Sequence, residues 1–386
     1  MLTFFKRSWG LIPIALVKIL EDLLGSIVGW KEKENDCSRP GSKTFLTTNH
    51  VQQANYHHPF EASSDLFCLG IQSIVQDDLT RPFVIEQEEA SLLRYPKERT
   101  NVPFYLIGFA FRWGFLFPLR VALMIAAIVF LITSATTCVF LNAEQKYFRY
   151  CAITFAKLFS ISTGLILNFH DKKNRPKFPG VAVANHLSAN DIMTIYAGCD
   201  YDGKGYTITG QTHGGYLSCI INDNDRMSLQ RAVVEHSKKK DESAYPVLLF
   251  PEGYCSNSKA VLQFRKGLFD GHAPIYPIAL KQDTRFGNAF WAENTYLPYL
   301  VRLMASWCSI IDICYLEPML KFDTETDEEF AKRVQNAIAT KLSVEALPFD
   351  GKLKSEKERS KYREKLQACF AAKQWGQYDF KESVLI

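Results

Sequence analysis

No Cys-x-x-Cys pair and no histidine cluster at zinc-finger spacing occurs among the 10 cysteines and 8 histidines of this 386-residue chain. That argues against a structural zinc site and against a disulfide framework. No Asn-x-Ser/Thr sequon is present either, so a reduced, cytosol-facing catalytic part is expected. An excess of one charge is also missing: 45 Lys and Arg against 41 Asp and Glu leave a net +4. A nucleic-acid binder or a disordered chain does not fit that balance. Internal repeats and low-complexity tracts are absent as well.

Charge is missing locally in a more telling way. Residues 121–143 contain no Asp, Glu, Lys or Arg, and Arg112 and Arg120 are the only charges between Asn101 and Ala143. At 1.5 Å per helical residue such a run reaches about 34 Å, enough to cross a hydrocarbon core of ~30 Å. A membrane-embedded segment is therefore expected over 101–143. Upstream, Leu16, Ile19, Leu20, Leu23, Leu24 and Ile27 recur at helical spacing with Lys18, Glu21 and Asp22 opposite. An amphipathic, membrane-associated helix over 1–30 accounts for this, and packing on another helix accounts for it equally. Residues 31–100 read as a polar linker followed by short helices.

After Ala143 a second amphipathic helix is expected to about Phe169, closed by the basic run Lys172, Lys173, Arg175 and Lys177. Then short β-rich runs follow, at 181–185, 246–250 and 275–280, each ending at a polar turn and separated by helical texture. The expectation is an α/β catalytic domain over 144–350, a mixed sheet flanked by helices, with functional loops at strand ends. Residues 299–317, in which Arg302, Asp312 and the terminal Glu317 are the only charges, read as a segment suited to lying on the bilayer. A charged tail occupies 351–386.

Two constellations sit at strand ends. In Asn185-His186-Leu187-Ser188-Ala189-Asn190-Asp191 a strand delivers His186 to a turn. Imidazole suits general-base work at neutral pH, and a carboxylate on its other nitrogen fixes the tautomer. Asp191 is the candidate for that carboxylate; the same spacing also makes a capping-box-like helix start with Ser188. In Phe250-Pro251-Glu252-Gly253-Tyr254-Cys255-Ser256-Asn257, Glu252 is suited to binding a hydroxyl or locking the loop, and Gly253 lets backbone approach a ligand. Downstream, Arg265 and Lys266 are candidates for holding a phosphate.

Together these residues resemble the glycerolipid acyltransferase family, whose motifs are N-H-x4-D, a central F-x-x-R-like segment, F-P-E-G and a late strand proline, here Pro277. Gly210-Gln211-Thr212-His213-Gly214-Gly215, the 252–257 segment, 286–291 and Leu347-Pro348-Phe349-Asp350-Gly351 look like its microsomal glycerol-3-phosphate acyltransferase branch, as do Ser64-Asp65-Leu66-Phe67 and Phe117-Pro118-Leu119-Arg120. The resemblance runs from about Ser63 to Leu366. It implies an endoplasmic-reticulum membrane enzyme that moves an acyl group from acyl-CoA to the first hydroxyl of glycerol 3-phosphate, the first step of phospholipid and triacylglycerol synthesis. His186 would be the base and Asp191 its orienter; Glu252, Gly253, Arg226, Arg265, Lys266 and Pro277 would bind substrate. It implies no bound cofactor, with acyl-CoA as co-substrate, no metal, and the lipid bilayer as a partner. The region after Gly215 is short and acidic, with Arg226 the nearest substitute for the family's arginine, and Ala189 and Tyr254 replace the usual Pro and Thr. A lysophospholipid acyltransferase, or a catalytically impaired membrane paralogue, shares the same motifs.

Overall fold

The computed structural model describes residues 79–85, 93, 102–201, 205–208, 245–269, 273–355 and 357–362. The amphipathic segment at 1–30, the motif at 210–215, Arg226 and most of the charged tail lie outside the described residues.

The apolar block forms helix α1 (Val102–Phe111) running through a π-helical turn (Arg112–Leu116) into α2 (Phe117–Phe140). Pro118 falls in the first turn of α2, where its missing N–H breaks no helical bond. The continuous Val102–Phe140 helix is 39 residues long and apolar enough to cross a membrane. Only one stripe of α2 is covered, with Arg120, Met124, Ala127 and Cys138 buried. It packs on α3 (Gln145–Ser162), which buries Ile153, Ala156 and Phe159. The remaining face carries exposed Leu123, Ile125, Ile128, Val129 and Ile132, which water would not tolerate as a contiguous surface and lipid would.

Gly164, at φ +72°, ends α3 and turns the chain into strand β1 (Leu165–His170). The expected helix to Phe169 is thus shorter: a left-handed glycine stops it, and the following β-favouring run pairs with a distant strand. The other strands are β2 (Val181–Ala184), β3 (Thr207–Ile208), β4 (Val247–Leu249), β5 (Ala260–Val261), β6 (Ile275–Asp283), β7 (Ser309–Tyr315) and β8 (Glu345–Ala346). The main sheet has the order β1-β7-β6-β2-β4-β3, parallel except for the antiparallel β6–β7 pair. Strands β5 and β8 form a small parallel pair beside it.

Residues 299–317 do not form a bilayer surface. They supply most of α5 (Tyr296–Met304) and all of β7, which is buried between β1 and β6. An apolar run buried on both faces has the same composition as one facing lipid, so only strand pairing separates the two.

Strand β2 shows how the layers form. Ala182 and Ala184 face one core with Ile153 and Ala156 of α3, Leu303 of α5 and Ile195 of α4 (Asp191–Ala197). Val181 and Val183 face the opposite core with Phe330, Val334 and Ile338 of α6 (Asp327–Leu342). The period of two splits one four-residue strand between two helical layers. The parallel strands β2 and β4 therefore end side by side, and both polar constellations emerge from that edge.

Candidate active site

Strand β2 hands over to Asn185, which is fully buried. Its Nδ2 donates to the Leu280 carbonyl at 2.9 Å, and its Oδ1 accepts from the Leu280 N–H at 2.8 Å. A buried amide left without partners costs about 1–3 kcal/mol, so this two-way bond fixes where the strand ends. His186 follows. Its Nδ1 lies 2.8 Å from Oδ2 of Asp191, whose side chain is wholly buried while the imidazole keeps 19% exposure.

The Asp191 carboxylate also accepts from the N–H of Leu187 at 2.6 Å, from the N–H of Ser188 at 2.9 Å and from the Ser188 hydroxyl at 3.1 Å. Helix α4 begins at Asp191 rather than at Ser188, whose hydroxyl instead accepts from the Asn190 N–H. The capping-box start is therefore not what forms, since Asn190 is the N-cap and makes no side-chain cap bond; the carboxylate instead closes the preceding turn and holds the imidazole. A carboxylate pinned by two amides and a hydroxyl has little freedom left, which presents a fixed acceptor to His186.

The second constellation leaves β4 beside it. The Phe250 ring stacks on the His186 imidazole, with centroids 4.4 Å apart and planes 22° apart. Gly253 adopts φ +72°, and its N–H donates to the Phe250 carbonyl. The chain then returns so that the Ser256 N–H donates to the His186 carbonyl at 2.7 Å. Glu252 is fully buried; its Oε2 accepts from the Ser256 hydroxyl at 3.3 Å, while its Oε1 has no hydrogen-bond partner.

Burial pushes the Glu252 carboxyl well above the usual range, with the His186 charge and the Ser256 hydroxyl pulling the other way. For His186, burial disfavours the charged ring, but the Cys255 thiol and the Asp191 carboxylate outweigh it and hold the imidazole up to about 10.

The remaining candidates separate. Arg265 joins the site: a Cβ on Gly253 would fall 2.6 Å from its guanidinium carbon, and its N–H donates to the Pro251 carbonyl at 3.2 Å. Lys266 turns to solvent and pairs with Glu328 of α6 at 2.8 Å. Pro277 is buried inside the sheet, in register with Val183. Arg226 lies outside the described residues.

Other contributors carry no role that the sequence reveals. The Asn257 Nδ2 donates to the carbonyls of Arg81 and Val84 at 2.7 and 2.9 Å, and its N–H to that of Pro82. A segment upstream of the apolar helix α1 thus braces the Glu252 turn. Spacing along the chain carries no trace of this contact, since more than 170 residues separate the partners. Among the described residues no group of three or more His, Cys, Asp or Glu side chains is arranged to hold a metal ion.

A family model described as Acyltransferase matches residues 166–281, the span from β1 to the end of β6. Glycerol-3-phosphate acyltransferase 4 of Homo sapiens is 33% identical over 341 residues, covering 80% of this chain and 73% of that one. Glycerol-3-phosphate acyltransferase 3 of Danio rerio is 33% identical over 334 residues, covering 79% and 73%. Among solved structures, the 1-acyl-sn-glycerophosphate acyltransferase PlsC of Thermotoga maritima superposes with a TM-score of 0.44 at 18% identity, covering 60% of this chain and 96% of that one. With the paired His186 and Asp191 beside the Phe250–Gly253 turn, and relatives aligned over four-fifths of its length, this chain belongs to the glycerol-3-phosphate acyltransferase branch of the acyltransferase family.

Proposed function

We propose that this protein transfers an acyl group from acyl-CoA to the first hydroxyl of glycerol 3-phosphate. His186 takes the hydroxyl proton as the oxygen attacks the thioester carbonyl. The tetrahedral intermediate collapses with cleavage of the C–S bond, and the imidazolium returns its proton to the departing coenzyme A thiolate. The products are a lysophosphatidic acid and free coenzyme A. Asp191 stabilises the imidazolium through the 2.8 Å contact, and no covalent acyl-enzyme is needed.

The observation that carries this reading is that contact, formed by a carboxylate that the backbone amides of Leu187 and Ser188 have locked in place. Arg265 beside Gly253 is suited to the acceptor's phosphate, and the unpaired Glu252 Oε1 to its hydroxyls. The apolar helix supports a membrane enzyme, where an acyl chain partitions; the endoplasmic-reticulum membrane, with the site on the cytosolic side, is the location that fits. The test is an acceptor panel: purified membranes, labelled acyl-CoA, and glycerol 3-phosphate, lysophosphatidate or lysophosphatidylcholine in turn. Labelled lysophosphatidate from glycerol 3-phosphate, lost by roughly 10²- to 10⁴-fold in His186→Ala, is expected. Transfer only to a lysolipid, or near-normal turnover by the variant, would overturn the assignment.

A further inference from the structure

Asn190, immediately before Asp191, is buried, and both ends of its carboxamide are taken by tyrosines of α5. The Tyr296 hydroxyl donates to its Oδ1 at 2.7 Å, and its Nδ2 donates to the Tyr299 hydroxyl oxygen at 3.2 Å. Tyr299 in turn donates to the Ala289 carbonyl at 3.0 Å. On its other side, the Asn190 N–H donates to the same Ser188 hydroxyl that bonds Asp191. An uncharged hydrogen-bond net, buried except at the exposed Tyr296, therefore runs from α5 to the carboxylate that holds the imidazole. Breaking one member strands its neighbours in the interior, which gives such a net its stiffness.

The far end of α5 is gripped by the membrane helix. Arg120 donates to the carbonyls of Met304, Ser306 and Trp307 at 2.7, 2.6 and 2.6 Å, and Arg112 to that of Ala305 at 3.0 Å. Helix C-termini carry unsatisfied carbonyls and partial negative charge, so a guanidinium is a fitting cap. Gly164 makes room for it: a Cβ there would lie 2.5 Å from the Arg120 guanidinium carbon. The Trp307 ring packs against Phe111 and closes over Gly108 of α1. Tyr296 and Met304, at the two ends of α5, lie eight positions apart, about 12 Å of helix.

We infer that Asn190, Tyr296 and Arg120 are positioning residues that tie the Asp191–His186 pair to the membrane helix, with α5 as the rigid link. The kinetic side of this inference rests on the acyl-transfer reading; the structural side does not. The test uses the full chain in phospholipid nanodiscs, as wild type, Tyr296→Phe, Asn190→Leu, the double variant and Arg120→Lys. Tyr296→Phe keeps the ring and its packing and removes one hydroxyl. It is expected to lower kcat about 10- to 100-fold with both KM values unchanged, since misplacement of a catalytic group costs that much. It also moves the ascending limb of kcat/KM against pH to lower pH, because a looser Asp191 supports the imidazolium less. The titratable groups facing His186, namely Asp191, Cys255 and Glu252, all remain in place. The double variant falls no further than the worse single, as members of one net are not additive, and Arg120→Lys reproduces the shift in the limb.

Wild-type kcat and limb in Tyr296→Phe, or loss only in proportion to the folded fraction with the limb unmoved, overturns the inference. If Arg120→Lys fails to fold, Tyr296→Phe decides alone. Titration of His186 by nitrogen NMR in the same nanodiscs separates the two readings. Should the wild type transfer no acyl group, the functional reading falls, while a lowered imidazole titration in Tyr296→Phe still upholds the positioning net and an unchanged one ends it.

Discussion

The Ser256 N–H donates to the His186 carbonyl at 2.7 Å, so the two functional turns share a backbone bond as well as neighbouring strands. The second turn is held again from outside, by Asn257 bonding to Arg81 and Val84. His186 therefore sits between a carboxylate fixed by its own turn and a loop fixed by a remote segment. The stacked Phe250 ring limits its rotation. Such redundancy fits a group that has to meet a substrate hydroxyl in one orientation.

The raised imidazole sets the pH dependence. A base acts only in its neutral form, so kcat/KM is expected to climb with pH on a limb above 6.5, the ordinary histidine value. Asp191→Asn removes the negative charge and moves that limb down. The stability effect has the opposite sense: the raised imidazole stabilises the fold fully below about 6.5, and that contribution is lost as pH rises through about 10. A pH–rate profile of both proteins, with melting curves across the same range, checks the two signs together.

His186→Ala and Asp191→Ala should differ in kind. Removing the imidazole leaves the turn bonds of Asp191 intact, so folding is retained while transfer disappears. Removing the carboxylate strands the buried amides of Leu187 and Ser188, at a cost of about 2–4 kcal/mol. Thermal melts in detergent beside activity assays decide this; an Asp191→Ala protein as stable as the wild type would contradict the shared role.

Gly253→Ala tests the second turn. Its φ of +72° strains any residue with a side chain, and an added Cβ would fall 2.6 Å from the Arg265 guanidinium carbon, which would have to move. A strain of about 1–2 kcal/mol from the left-handed backbone is expected, with displacement of Arg265. Steady-state kinetics should show a higher KM for glycerol 3-phosphate and a smaller change for acyl-CoA.

Glu252→Gln removes a buried acid that folding drives toward its neutral form. Between the unfolded value near 4.3 and the raised folded one, the wild type takes up a proton on folding. Its stability therefore falls with rising pH, by up to about 1.4 kcal/mol per unit. The amide variant has no such slope, so its melting temperature should overtake that of the wild type as pH rises. Parallel melting curves from pH 5 to 9 would refute this.

Arg265 and Lys266 are neighbours with different surroundings, and their alanine variants should part. Lys266 is solvent-exposed on Glu328, so Lys266→Ala is expected to keep kcat/KM within about twofold of the wild type. Arg265→Ala should raise the KM for glycerol 3-phosphate by an order of magnitude or more, as expected for loss of a charged hydrogen bond. Titrating each variant with acceptor at saturating acyl-CoA reads both outcomes.

The His186–Asp191 pair was legible because both residues belong to one short turn: local geometry brings side chains five positions apart onto each other at a strand-to-helix junction. The Phe250–Gly253 turn was legible for a similar reason, as an apolar strand ending in Pro and Gly. The long apolar helix announced itself by missing charge. Strands β1 and β7 were not legible, because runs such as Leu165–Phe169 and Ser309–Tyr315 have the composition of helix, strand or lipid-facing surface alike. Lys266 looked equivalent to Arg265 until the position of α6 supplied Glu328 as its partner.

Sequence alone determined the chemistry available, the apolar helix, the strand-ending turns and the branch of the family, since each rests on residue type and short-range spacing. Tertiary structure decided which turns meet, which basic residue joins them, and what holds them still. Those outcomes depend on partners far along the chain, including Arg120 on the loop after Met304 and the Arg81 carbonyl on Asn257. Long-range pairing of backbone groups follows from how the whole sheet and its helices pack, and no local spacing encodes it.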